Sequence, residues 1–224
     1  MTDSSPSPST DQLGHQSGDQ QLAPKDVTDR LHAEFGEHVG RDDIERSLRS
    51  SCERFNGRAI DAKSLTARAE RWTRQRLAAR VRVSGQLVDT RPTVLFLCTH
   101  NAGRSQMALG FFNHLAGDQA VAWSGGSEPG DQVNPSAVQA MAEVGIDITR
   151  EFPKPWSDEI VQAADVVVKM GCGDTCPLFP GKRYEDWELV DPAGQGVEAV
   201  RPIRDDIEER VRRLLSELGI QSQR

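Results

Sequence analysis

A β-prone, largely apolar run of five residues, Thr93-Val94-Leu95-Phe96-Leu97, leads directly into Cys98-Thr99-His100-Asn101-Ala102-Gly103-Arg104-Ser105. A run of this kind is typical of a strand buried on both faces in a parallel sheet. Beyond the loop, Met107, Ala108, Phe111, Phe112 and Leu115 recur at helical spacing, so a helix follows. A loop that closes onto a helix N-terminus points several backbone N–H groups into one concavity, which suits a tetrahedral oxyanion. The same positive potential stabilises a sulfur anion and makes Cys98 the candidate nucleophile. Arg104 offers a planar fork to two anion oxygens. Ser105 can donate to the sulfur, and Asn101 can brace the loop. Thr99, His100, Ala102 and Gly103 complete the oxyanion-binding segment. Cys-x5-Arg alone is a loose pattern, and its place at the C-terminal end of an apolar strand, where α/β sheets bind ligands, gives it weight.

The remainder of the second half alternates in the same way. Ala120 to Trp123 and Asp165 to Met170 read as strands, and Glu188 to Val190 as a short fourth. Asn134-Pro135 starts a helix, with Asn as cap and Pro in the first turn, and Gly145 ends it. Ser157 to Ala164 reads as another helix. Ile203, Ile207, Val211, Leu214 and Leu218 mark a closing one. The expected fold is α/β: a parallel four-stranded sheet with helices on both faces. A small all-α segment precedes it. Val27, Leu31 and Phe35 form one stripe, Ile44, Leu48, Cys52 and Phe55 a second, and Leu65, Ala69 and Trp72 begin a third. Three short amphipathic helices need each other or a partner chain to bury such stripes. Residues 1–23 are polar and lack the large apolar groups that would offset ordering entropy, so they read as a disordered tail. The expected division is therefore 1–23 tail, 24–90 three-helix domain and 91–224 sheet domain.

Charge follows the same division. Lys25 to Arg91 carries 15 basic and 11 acidic residues, whereas Pro92 to Arg224 carries 12 and 20. No apolar run approaches the roughly 20 residues of a membrane span, and the polar start does not resemble a secretory signal. The cytoplasm is the expected location, and no membrane partner is expected. Four cysteines in a reducing compartment suggest catalysis, metal binding or packing before structural disulfides. Cys52 lies on an apolar stripe and reads as core. Cys172 and Cys176, in Gly-Cys-Gly-Asp-Thr-Cys-Pro, leave three readings open: a redox pair, inert thiols, or half of a zinc site that lacks nearby partners.

With these residues in hand, Pro92 to Leu218 resembles the low-molecular-weight protein tyrosine phosphatase superfamily, and more particularly its arsenate reductase branch. The strongest element is Val94 to Ala108. Reductases of the branch read Arg-Ser-Gln-Met-Ala after the loop, as Arg104 to Ala108 do here, where phosphatases usually have Arg-Ser-Pro. Asp191-Pro192 matches the family's general acid. The resemblance implies that Cys98 attacks arsenate, that Asp191 protonates the departing oxygen, and that Cys172 and then Cys176 carry the oxidation away as a disulfide. It also implies an external thiol reductant, thioredoxin by preference, with mycothiol and mycoredoxin as the other candidate, and no bound cofactor. Leu109 stands where some of these reductases carry a Glu that helps hold potassium, so no metal site is carried over. His100 and Gly103 also differ from some members.

Two other functions compete. The same loop would hydrolyse phosphate monoesters, but Ala193-Gly194 follows Asp191-Pro192, where phosphotyrosine enzymes of the family place aromatics to stack on the substrate. The arginines from Arg54 to Arg91 could track DNA phosphates. Scattered arginines more often form a solvated face, and nucleic acid is not expected. The N-terminal helices resemble a segment of some actinobacterial relatives associated with dimerisation. A homodimer through Val27, Leu31, Phe35, Ile44 and Leu48 and packing of those stripes within one chain remain equal alternatives.

Overall fold

The computed structural model describes residues 24–57, 60–86, 89–171 and 178–222. The expected disordered tail and the Cys172/Cys176 pair lie outside the described residues.

Three helices come first: α1 (Lys25–Phe35), α2 (Arg41–Phe55) and α3 (Ala62–Val83). Asp61 caps α3, its carboxylate accepting the Ser64 N–H at 3.0 Å. Then follow β1 (Thr93–Cys98), α4 (Arg104–Ala116), β2 (Val121–Gly126), α5 (Pro135–Glu143), α6 (Asp158–Ala163), β3 (Val166–Met170), β4 (Arg183–Asp186) and α7 (Val197–Glu217). The four strands are parallel, in the order β2-β1-β3-β4. The expected architecture is therefore observed, with one correction. The fourth strand is Arg183–Asp186, and Glu188 to Val190 forms no strand. As an edge strand β4 pairs only with β3, so it is polar and lacks the apolar run that marks a central strand.

The period-two geometry of β1 divides the interior. Val94, Phe96 and Cys98 face a core built with α4, α5 and α7. Leu95 and Leu97 face the other way, into a core shared with α6, Phe152 and the N-terminal helices. The helical segment and the sheet thus share one apolar interior. The stripes Val27, Leu31, Phe35, Ile44 and Leu48 are buried within the single chain, so a homodimer would have to use other faces of these helices. The α3 arginines dock on carboxylates of the sheet region: Arg71 on Glu151, Arg76 on Glu159 and Arg82 on Asp165. Arg30 and Arg74 pair with Glu34 and Glu70 inside the helical segment. Among the described residues, no helix is long and apolar enough to cross a membrane.

Candidate active site

Cys98 ends the inner strand β1, its Cα in register with Gly126 of β2 and Met170 of β3, and α4 begins six residues later. Between them the chain turns through Asn101, whose φ of 47° is the one positive value at a non-glycine among the described residues. Three loop carbonyls are tied outward by backbone donors. Thr99 O accepts from Glu128 N at 2.9 Å, His100 O from Gly130 N at 2.9 Å and Ala102 O from Asn134 N at 2.9 Å. A planar trans peptide points its N–H opposite its carbonyl, so the N–H groups of His100, Asn101 and Gly103 turn inward. Consistently, Asn101 N donates to Cys98 Sγ at 3.2 Å.

The nucleophile's second partner follows from donor inventory. Asn101 Nδ2 can only donate, and it lies 2.8 Å from Ser105 Oγ. Ser105 therefore accepts that bond and keeps its own proton for Cys98 Sγ, 3.0 Å away. The other end of the Asn101 amide is fixed by two donors: Lys154 N at 3.0 Å and Gln106 Nε2 at 3.2 Å both reach Oδ1. Gln106 Nε2 also lies 2.9 Å from Asn101 O and 3.1 Å from Phe152 O. Asn101, Ser105 and Gln106 are fully buried. This network holds the loop in its turn and aims two donors at sulfur.

Arg104 and Asp191 face one another across the mouth. Arg104 Nη2 donates to Asp191 Oδ2 at 3.0 Å and Nη1 reaches Leu189 O at 3.4 Å. The Arg104 side chain is 8% exposed and that of Asp191 49%, so the carboxylate stands at the solvent side of a buried guanidinium. Glycine is needed twice for close approach. A Cβ at Gly103 would sit 2.5 Å from Pro192 Cγ, and one at Gly171 would sit 2.8 Å from Arg104 Nη1. Thr99 Oγ1 donates to Gly171 O at 3.0 Å, so the residue before Cys172 rests on the loop. Asn134 caps α5 with its Oδ1 and reaches Pro192 O with Nδ2 at 3.1 Å. The cavity, open to solvent at this mouth, measures about 280 Å³ and is lined by Cys98, His100, Arg104, Asn134, Asp191 and Ala193, among others.

The structure places Cys98, the Thr99–Ser105 loop and Asp191 around one cavity. Cys172 and Cys176 lie outside the described residues. Cys52 lies at the edge of the helical core, half-buried, where burial pushes its thiol upward. Sequence reasoning missed the bracing partners Gln106, Phe152 and Lys154. Gln106 stands in the recognised run, but nothing local signals that it reaches Phe152, 46 positions away.

The family's potassium site can be tested on the residues present. Leu109, which contributes no oxygen, lines a second cavity together with Lys154. The Lys154 ammonium there donates to Ser124 Oγ at 3.1 Å and Phe152 O at 3.4 Å. A fixed cation beside an apolar side chain does not suit a potassium ion.

A cysteine on an anion-binding loop, backed by a buried arginine and faced by an aspartate, defines a class of enzymes, and the comparisons agree with it. Residues 93–224 match the model of the low molecular weight phosphotyrosine protein phosphatase family. The chain belongs to that family, within its arsenate reductases. It is 38% identical over 129 residues to a glutaredoxin arsenate reductase of Synechocystis, covering 56% of this chain and 98% of that one. It is 40% identical over 129 residues to an arsenate reductase of Halalkalibacterium halodurans, covering 53% and 91%. A thioredoxin-dependent arsenate reductase of Corynebacterium glutamicum superposes with a TM-score of 0.78 at 33% identity, over 87% of this chain and 96% of that one. At 87% the likeness reaches well into the N-terminal helices.

Proposed function

We propose that this chain reduces arsenate to arsenite by a three-thiol relay that ends on a thioredoxin-type donor. The observation that carries the reading is Cys98 Sγ lying within hydrogen-bonding distance of Asn101 N and Ser105 Oγ, in a cavity that also presents Arg104 and Asp191. Arsenate enters with its oxygens on the inward N–H groups and on the Arg104 fork, displacing Asp191 from that fork. Cys98 attacks arsenic, and one oxygen leaves as water with a proton from Asp191. Cys172 then attacks Cys98 sulfur. The S–As electron pair stays on arsenic, which departs as As(III), and a Cys98–Cys172 disulfide remains. Cys176 attacks Cys172, freeing Cys98 and leaving Cys172–Cys176 for reduction by the external dithiol. The contact between Thr99 and Gly171 supports this order, because it anchors the chain immediately before Cys172 at the rim of the loop.

The test is NADPH oxidation with arsenate, thioredoxin and thioredoxin reductase, comparing the parent chain with Cys98→Ser, Cys172→Ser and Cys176→Ser. Turnover in the parent and loss of at least a hundredfold in each variant is expected. Mycothiol-supported turnover that survives in Cys172→Ser and Cys176→Ser would replace the relay with a single-cysteine mechanism. Hydrolysis of a small aryl phosphate without arsenate turnover would replace the reductase with a phosphatase.

A further inference from the structure

A second cavity, of about 190 Å³, lies between α3, α4, β2 and the segment that braces the catalytic loop. Arg71, Gln75, Leu109, Ser124, Glu151 and Lys154 are among its lining residues. Two of these are cations and one is a carboxylate, so the cavity carries one uncompensated positive charge. Lys154 is 4% exposed. Its ammonium lies 3.7 Å from Glu151 Oε2 and 4.9 Å from the centre of the Phe152 ring. The other Glu151 oxygen is taken by Arg71 Nη2 at 2.7 Å. Gln75 Nε2 is buried and has no acceptor among the described residues. A buried donor without a partner is costly, and so is a buried cation that shares the one carboxylate paired with it among the described residues.

We infer that this cavity is a binding site for a small monovalent inorganic anion, with chloride as its representative, separate from the oxyanion loop. The anion accepts from Gln75 Nε2 and lies beside the Lys154 ammonium, which satisfies the orphan donor and balances the charge at once. Burial pulls Lys154 down to about 8, with Glu151 opposing the fall and Arg71 adding to it. The volume holds one such ion with room for water. The site also touches the chemistry, because Lys154 N donates to Asn101 Oδ1 at 3.0 Å. An anion that fixes Lys154 therefore stiffens the turn that aims donors at Cys98.

The experiment needs no turnover, so its outcome is independent of the reductase reading. The melting temperature is measured in sodium chloride and in sodium gluconate at equal ionic strength. Crystals of the parent chain are soaked in sodium bromide for anomalous diffraction. Saturating chloride is expected to raise the melting temperature by roughly 2–4 °C, equally in the parent chain and in Cys98→Ala, with the shift lost in Gln75→Leu. Bromide is expected between Gln75 Nε2 and Lys154 Nζ. A cavity holding water alone, bromide confined to the Cys98 loop, or an undiminished chloride shift in Gln75→Leu would each overturn the assignment. The bromide arm uses the unaltered chain and decides the matter even where Gln75→Leu does not fold.

Discussion

At the scale of single residues, the catalytic loop depends on one residue with a strained backbone. Asn101 holds a left-handed backbone while its amide pairs with Ser105, Lys154 and Gln106. Asn101→Ala would strip all three partners at a buried site and keep the strained φ. A loss on the order of 3–4 kcal/mol is expected, with Asn101→Gly less damaged by about 1 kcal/mol because glycine accepts the turn freely. Urea unfolding of the two variants checks the difference, and equal midpoints would mean that the turn stores no strain. Lys154 gives a prediction in pH. Its folded value of about 8 lies below the 10.5 of a free lysine, chiefly through burial. Above pH 8 the folded chain has released a proton that the unfolded chain still holds, so stability from this residue rises with pH up to about 10.5. Relative to Lys154→Met in gluconate buffer, the parent chain should gain on the order of 3 kcal/mol between pH 7 and 10.5. A flat difference between the two unfolding curves would show that the buried ammonium does not titrate there. Cys98, Arg104 and Ser105 were legible because their chemistry lies in eight consecutive residues. The roles of Gln106 and Lys154 arise from contacts across the fold, and no local pattern announces them.

At the scale of elements, legibility tracks burial. β1 and β3 are apolar and stand out in the sequence, whereas β4 shows only exposed and half-buried positions and carries no such apolar run. Its place in the sheet comes from tertiary pairing with β3, which outweighs its weak local propensity. α3 was legible as a helix but not in its role. The arginines that looked like a solvated face instead reach across the fold. Arg82 alone donates to Ala163 O at 3.1 Å, Asp89 O at 2.8 Å and Asp165 Oδ2 at 2.8 Å. Arg71 grips Arg150 O at 2.5 Å and stacks over Phe152 at 5.0 Å. Phe152 O in turn receives Gln106 Nε2, so α3 bears on the segment that fixes Asn101. The excess of basic residues before Pro92 and of acidic residues after it is, in part, the imprint of this docking.

At the scale of the whole molecule, the question is whether α1–α3 are an appendage or part of the body. A sheet unit without them is a viable fold in relatives, since the Synechocystis reductase is matched over 98% of its length by 56% of this chain. Here, however, the face that the helices cover is apolar: Leu95, Leu97, Phe152, Val161 and Val167 are all at most 2% exposed and share a core with Leu48, Phe55 and Leu77. The short helix α6 cannot screen that surface by itself. A chain of residues 91–224 should keep the circular-dichroism signature of its sheet and helices, because the core around Phe96, Phe112 and Val211 is intact. It should nevertheless bind a hydrophobic dye, self-associate at micromolar concentration and melt well below the full chain. Its arsenate turnover should fall together with the melting temperature, since the contacts of Arg71 around Phe152 are lost. A truncated chain that stays monomeric, leaves the dye dark and melts with the parent would show that the sheet region closes its own core. The helices would then be a separate unit joined at the linker before β1, with their buried stripes an internal affair of that unit.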